Sequence, residues 1–218
     1  MSLSVIQNDG YELQYVQHQT PELCLAAVQQ NGYVIKLVEH KTPEICLAAV
    51  KQNGDAIQYI PLEYRTTKLY LAAVQENGLA LRYIEDVKHQ TEEICLAAVR
   101  QNPYAIRYVK NQTSRICLEA VKQNGCVIQY VKRQTFKLSM IAIKQNPYNI
   151  QYIHNQRREL CLAAVRMNGL ALQYIEDVKN QTLNICLAAV IDNYDAFQFI
   201  RIRNIKHQTR KIYLSLYY

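Results

Sequence analysis

A leucine-, cysteine- and alanine-rich run ending in Asn, followed by a shorter run ending in an aromatic residue, recurs nine times in 218 residues. Aligned on the Asn, the copies fall at Asn8, Asn31, Asn53, Asn77, Asn102, Asn124, Asn146, Asn168 and Asn193, at spacings of 23, 22, 24, 25, 22, 22, 22 and 25 residues. A period of this length marks a solenoid, in which each unit buries its apolar face only by stacking on its neighbours. Residues 1–218 are therefore read as a single repeat array of about eight to nine units, partial at both ends.

The unit Thr42-Pro43-Glu44-Ile45-Cys46-Leu47-Ala48-Ala49-Val50-Lys51-Gln52-Asn53 reads as a helix. Thr is a good N-cap, Pro suits the first helical position and Glu in the first turn complements the helix dipole. Thr recurs at Thr20, Thr66, Thr91, Thr113, Thr135, Thr182 and Thr209, with Arg157 the departure. The run Ile-Cys-Leu-Ala-Ala-Val is apolar all round, so this helix is expected between neighbouring repeats. After the Asn stands Gly (Gly32, Gly54, Gly78, Gly125, Gly169) or Pro (Pro103, Pro147). Pro cannot adopt positive φ, so the Gly is no left-handed cap. The Asn is expected to end the first helix and N-cap the second. The second run, such as Ala-Ile-Gln-Tyr-Ile at 56–60, carries a short helical stripe. A strand here, as in leucine-rich repeats, is the rival, but the Leu-x-x-Leu-x-Leu-x-x-Asn spacing is not met. The predicted fold class is all-α, an α-solenoid of two-helix repeats of about 22–25 residues.

Six of seven cysteines, Cys24, Cys46, Cys95, Cys117, Cys161 and Cys186, share one repeat position, which Tyr70, Ser139 and Tyr213 fill elsewhere. Neither a metal nor a disulfide tolerates those replacements, and no Cys-x-x-Cys exists, so these are read as core thiols in a reducing, intracellular compartment. No stretch of about 18 apolar residues spans a membrane, and the start, Met1 to Gln7, does not read as a secretory signal.

The core Leu-Ala-Ala-Val-x-x-Asn-Gly-x-Ala-Leu-x-Tyr, visible at 71–83 and 162–174, resembles a helical repeat family of unknown function abundant in giant DNA viruses of the mimivirus type. The resemblance implies a viral protein, in the host cytoplasm, and transfers no functional residues.

No phosphate loop, dinucleotide fingerprint, zinc-protease helix or nucleophile elbow is present, and the carboxylate pairs Glu85-Asp86, Glu92-Glu93 and Glu176-Asp177 are sequence neighbours without a cleft. The expectation is a protein that is not an enzyme, with no catalytic residue, cofactor or metal. His18, His40, His89 and His207 recur two residues before the Thr, too far apart to share an ion. Gln follows at Gln19, Gln90, Gln112, Gln134, Gln156, Gln181 and Gln208, with Lys41 the exception; it is read as a turn amide, with a partner-reading row as the alternative. Two basic rows are the candidate partner-binding residues: Lys88, Lys110, Lys132, Lys179 and Lys206 in the links, and Lys51, Arg100, Lys122, Lys144 and Arg166 before the Asn.

Charge is uneven. Residues 1–110 hold 10 Lys/Arg against 12 Asp/Glu, and residues 111–218 hold 15 against 6. The expected function is a non-catalytic scaffold for protein–protein interaction with an unknown, acidic protein partner. The alternative is a nucleic-acid-binding module using the basic C-terminal half. Against it stand the absence of Trp and the placement of Tyr59, Tyr83, Tyr108, Tyr130, Tyr152 and Tyr174 at a core position. The apolar end, Tyr213, Leu214, Leu216 and Tyr217, is a candidate homodimer face, with capping of its own core as the alternative.

Overall fold

The computed structural model describes residues 2–217, and side chains through residue 214. Among the described residues every element is helical. The α-helices are α1 (Leu3–Asn8), α2 (Pro21–Gln30), α3 (Pro43–Gln52), α4 (Thr67–Glu76), α5 (Glu92–Gln101), α6 (Ser114–Gln123), α7 (Phe136–Gln145), α8 (Arg158–Met167), α9 (Leu183–Asp192) and α10 (Arg203–Tyr217). After each of the first nine comes a six-residue 3-10 helix, as at Gly54–Tyr59 and Gly169–Tyr174. Contacts divide the chain into two compact units, Met1–Glu119 and Ala120–Tyr218. Within each unit a helix packs on the next repeat's helix and on the 3-10 helices flanking it, as α2, α3 and α4 do in the first and α7, α8 and α9 in the second. The all-α repeat solenoid predicted from the period is the observed fold.

The Asn caps hold, and the Thr caps hold at six positions but not at Thr182, which stands at the N-cap of α9 without a side-chain cap bond. The hydroxyls of Thr20, Thr42, Thr66, Thr91, Thr113 and Thr135 accept the N–H three residues on, at 3.3–3.4 Å. Asn53 serves two helices at once. Its own N–H closes α3 on the Ala49 carbonyl at 2.9 Å, and its Oδ1 accepts the Asp55 N–H at 3.0 Å at the start of the 3-10 helix. The Asn sits in extended backbone, φ −150 and ψ 112 at Asn53, which breaks the α-helix and turns the chain into the second element. In the first copy the capping residue is Asp9, whose Oδ1 accepts the Tyr11 N–H, so the register there lies one residue later than Asn8.

The second element is a 3-10 helix of six residues. At about 120° per residue, Ile57 and Ile60 share one line and both are buried, while Tyr59 follows the fully buried Ala56 on the next line and is itself 40% exposed. The rings of Tyr83, Tyr108, Tyr130, Tyr152 and Tyr174 are likewise half-buried. The tyrosines are not the core residues that the apolar stripe had implied.

Among the described residues none has positive φ, so the glycines are there for space. A Cβ on Gly169 would stand 2.1 Å from the Ala189 carbonyl oxygen of α9, and one on Gly32 would stand 2.4 Å from that of Ala49 in α3. The close approach lets the next repeat's last helical side chain reach the glycine N–H. Gln52 Oε1 accepts from Gly32 at 2.6 Å, Gln101 from Gly78 at 2.6 Å, and the Asp192 carboxylate from Gly169 at 2.6 Å. Pro147 has no N–H to give, and the residue at the matching distance is Met167, which offers no such acceptor.

The final link departs from expectation. Thr209 stands where Thr caps other helices, but α10 begins at Arg203 and runs through it, leaving the buried Thr209 hydroxyl without a hydrogen-bond partner. The other long links each hold an extra 3-10 turn, at Leu62–Tyr64, Val87–His89 and Val178–Asn180.

Candidate functional site

The residues recurring between repeats sort into those that hold the array together and those that face outward. The link glutamines belong to the first group. Gln156 Nε2 donates to the Ile150 carbonyl at 3.0 Å and, in the next repeat, to the Tyr174 carbonyl at 2.8 Å, while its Oε1 accepts the Glu176 N–H at 2.9 Å. Gln134 makes the same three bonds to Ile128, Tyr152 and His154. Gln19, Gln90 and Gln181 clip their next repeats alike. These amides bond backbone, so the turn reading of this row is the observed one. Arg65 fills the same place and was missed as an exception: its guanidinium reaches the Ile60, Tyr83 and Gln58 carbonyls at 2.6, 3.3 and 3.3 Å. Amide and guanidinium share the donation to carbonyls of their own and the next repeat, while only the amide also accepts a backbone N–H.

The aligned cysteines also face inward. All six are buried, and Cys126 is half-buried with its Sγ 3.2 Å from Asn149 Oδ1. Burial pushes the thiols up, Cys95 and Cys186 to about 11 and Cys161 to about 12, because an apolar core disfavours the thiolate. Such thiols are poor nucleophiles. Among the described residues no group of His, Cys, Asp and Glu is placed to hold a metal ion.

The basic link row does not form one surface. Lys88 pairs with Asp86 at 2.9 Å in an inserted 3-10 turn, Lys206 lies over the Phe197 ring at 5.1 Å on α10, and Lys110, Lys132 and Lys179 are exposed in links of differing form. The second row is regular. Lys51, Arg100, Lys122, Lys144 and Arg166 occupy the last turn of their α-helices and are exposed, with Arg100 3.4 Å from Glu119. At the C-terminal end the Tyr213 ring packs on Tyr194 at 4.9 Å. Leu214 is 42% exposed, and the side chains of Leu216 and Tyr217 lie outside the described residues.

The outward surface that sequence reasoning missed is the face of the 3-10 helices. Tyr33 and Tyr59 meet edge to face at 6.0 Å, and Tyr148 and Tyr174 at 5.6 Å, each pair joining successive repeats. Arg82 lies 4.6 Å over the Tyr83 ring and Arg107 lies 4.7 Å over Tyr108. Arg82 also reaches Asp55 at 2.6 Å, and Asp55 accepts from Asn77 at 2.9 Å, so the arginine is fixed by its neighbours. Between the residues bearing this face and the links is a cleft of about 600 Å³ lined by Gln58, Arg65, Tyr70, Tyr83, Lys88 and His89 among others. The Tyr70 and His89 rings meet at a tilt, 5.3 Å apart, and burial pushes the Tyr70 hydroxyl up.

No curated protein and no solved structure matches the chain. A family described as "Domain of unknown function (DUF4116)" matches in tandem, over residues 20–65, 42–87, 67–112 and 115–156. Its first three matched segments each span two repeats, with overlaps between them, and all four begin within two residues of a capping Thr. With most of its length covered by these matches, the chain belongs to the DUF4116 family.

Proposed function

We propose that the array is a non-catalytic scaffold that binds a protein partner along the face of its 3-10 helices. The half-exposed tyrosine recurring from repeat to repeat carries this reading. Tyrosine offers a large, stiff, amphipathic ring at small entropic cost and is enriched in protein interfaces. Lys36, Arg82 and Arg107 beside the rings suit a segment bearing carboxylates. The recurring Thr, Asn, Gln and Cys residues are spent on caps, clips and core, which supports binding over catalysis. The giant-virus resemblance and the free thiols support an intracellular setting in an infected host.

The test is affinity capture from such cells, comparing the intact chain with Tyr59→Ala/Tyr83→Ala/Tyr108→Ala at matched circular dichroism. A protein held by the intact chain after nuclease treatment and lost by the variant supports the reading. Equal capture by both chains, or release by nuclease, overturns it.

A further inference from the structure

We propose that the edge formed by the links before α7 and α8 binds single-stranded nucleic acid through its phosphates. No Asp or Glu lies between Glu119 and Glu159, while Lys122, Lys132, Arg133, Lys137, Lys144, Arg157 and Arg158 all fall there. All seven are exposed. Five of them, Lys132, Arg133, Lys137, Arg157 and Arg158, gather at the starting ends of α7 and α8, which pack side by side. Helices packed roughly 8–10 Å apart put the cations of two successive links within one polyanion's reach. The same arrangement repels itself in the absence of a counter-charge.

Two departures from the repeat fall on this edge. Arg157 replaces the capping Thr, and α8 starts without a side-chain cap hydrogen bond. Six of the capping Thr residues make a bond that Arg157 does not, though Thr182 at α9 lacks one as well, and the substitution adds a cation to this edge. Phe136, at the first position of α7 between Arg133 and Lys137, is 44% exposed. An uncovered aromatic ring among cations suits the stacking of an unpaired base, which a single strand supplies. An acidic polypeptide would use the cations and leave the ring idle. One objection raised from sequence, that the aromatics are buried, also falls away, since the tyrosines are half-exposed.

The probe is a fluorescent 20-nucleotide oligothymidine, with anisotropy read on the full chain between 50 and 200 mM salt. The intact chain should bind with a log–log salt slope of about −0.7 per phosphate contact. Arg133→Gln/Lys137→Gln/Arg158→Gln should weaken binding at least tenfold and flatten the slope. Phe136→Ala should weaken it several-fold with the slope unchanged. Arg157→Thr separates function from folding: it should raise the melting temperature by restoring the cap while weakening binding. No binding at 50 mM salt overturns the proposal. So do a silent Phe136→Ala with displacement by polyglutamate of equal charge, which assigns the edge to an acidic protein, and an Arg157→Thr chain that binds as the intact one does.

Discussion

Gln156 and Glu176 are joined across two repeats: the Gln156 Oε1 accepts the Glu176 backbone N–H at 2.9 Å, while the same amide donates to the Tyr174 carbonyl at 2.8 Å. Gln156 is 8% exposed, so both bonds run largely out of solvent. Gln156→Glu keeps the shape and puts a carboxylate against two carbonyls. It should lower stability at neutral pH by about 2 kcal/mol, the order of an unsatisfied or repelled buried polar group. The introduced carboxyl would have its pKa raised by burial and by the carbonyls. Protonation restores a donor, so the loss should shrink as pH falls through that raised value. Chemical denaturation at pH 7 and pH 4.5, each against the unsubstituted chain, checks this.

Gly169→Ala puts a methyl 2.1 Å from the Ala189 carbonyl oxygen, a backbone atom that cannot swing aside. Forced overpacking of this kind costs about 1–3 kcal/mol. Urea melts should show the loss, and a neutral result would mean that the repeats are spaced more widely than described.

Asn124→Ala removes the Oδ1 that accepts the Cys126 N–H at 2.9 Å. Loss of an N-cap costs about 1 kcal/mol. Asn124→Asp should recover most of it, as Asp9 and its bond to Tyr11 show in the first copy. An unchanged melt for the alanine variant would contradict the capping role.

The thiols give a pH-dependent signature. Burial raises Cys95 and Cys186 to about 11 and Cys161 to about 12 from an ordinary 9.0. Their folded pKa values exceed the unfolded ones, so the unfolded chain loses its protons first. The contribution is complete below about pH 9 and is lost as pH rises through 11–12. Stability should therefore fall through that window, and less steeply in Cys161→Ser. At neutral pH a thiol reagent should modify Cys126 first and the six aligned cysteines only on unfolding.

Much of this was legible in the sequence because repetition multiplies each local signal. Thr before Pro-Glu and Asn before Gly gave both helix boundaries, and the shared cysteine position gave the core. The tyrosine face was not legible, since Tyr59 follows the buried Ala56 at i+3 and reads as part of the apolar stripe under a period of 3.6 or 3.0 alike. Arg65 hid among the glutamines because the common demand is for donors to carbonyls. Asn8 drew the alignment one residue early, as Asp9 caps equally well. Thr209 reads as a cap by letter, but α10 absorbs it.

The glutamine clips join each link to the next, and native-state hydrogen exchange tests them most directly. The N–H groups of Glu39, Lys110, His154, Glu176 and Arg201 lie in links outside regular helix, yet each is bonded to the glutamine of the preceding link. All five should exchange slowly, and Gln156→Leu should free Glu176 alone. Exchange of the five at the rate of open loops, or equal protection of Glu176 in the variant, would contradict the clips.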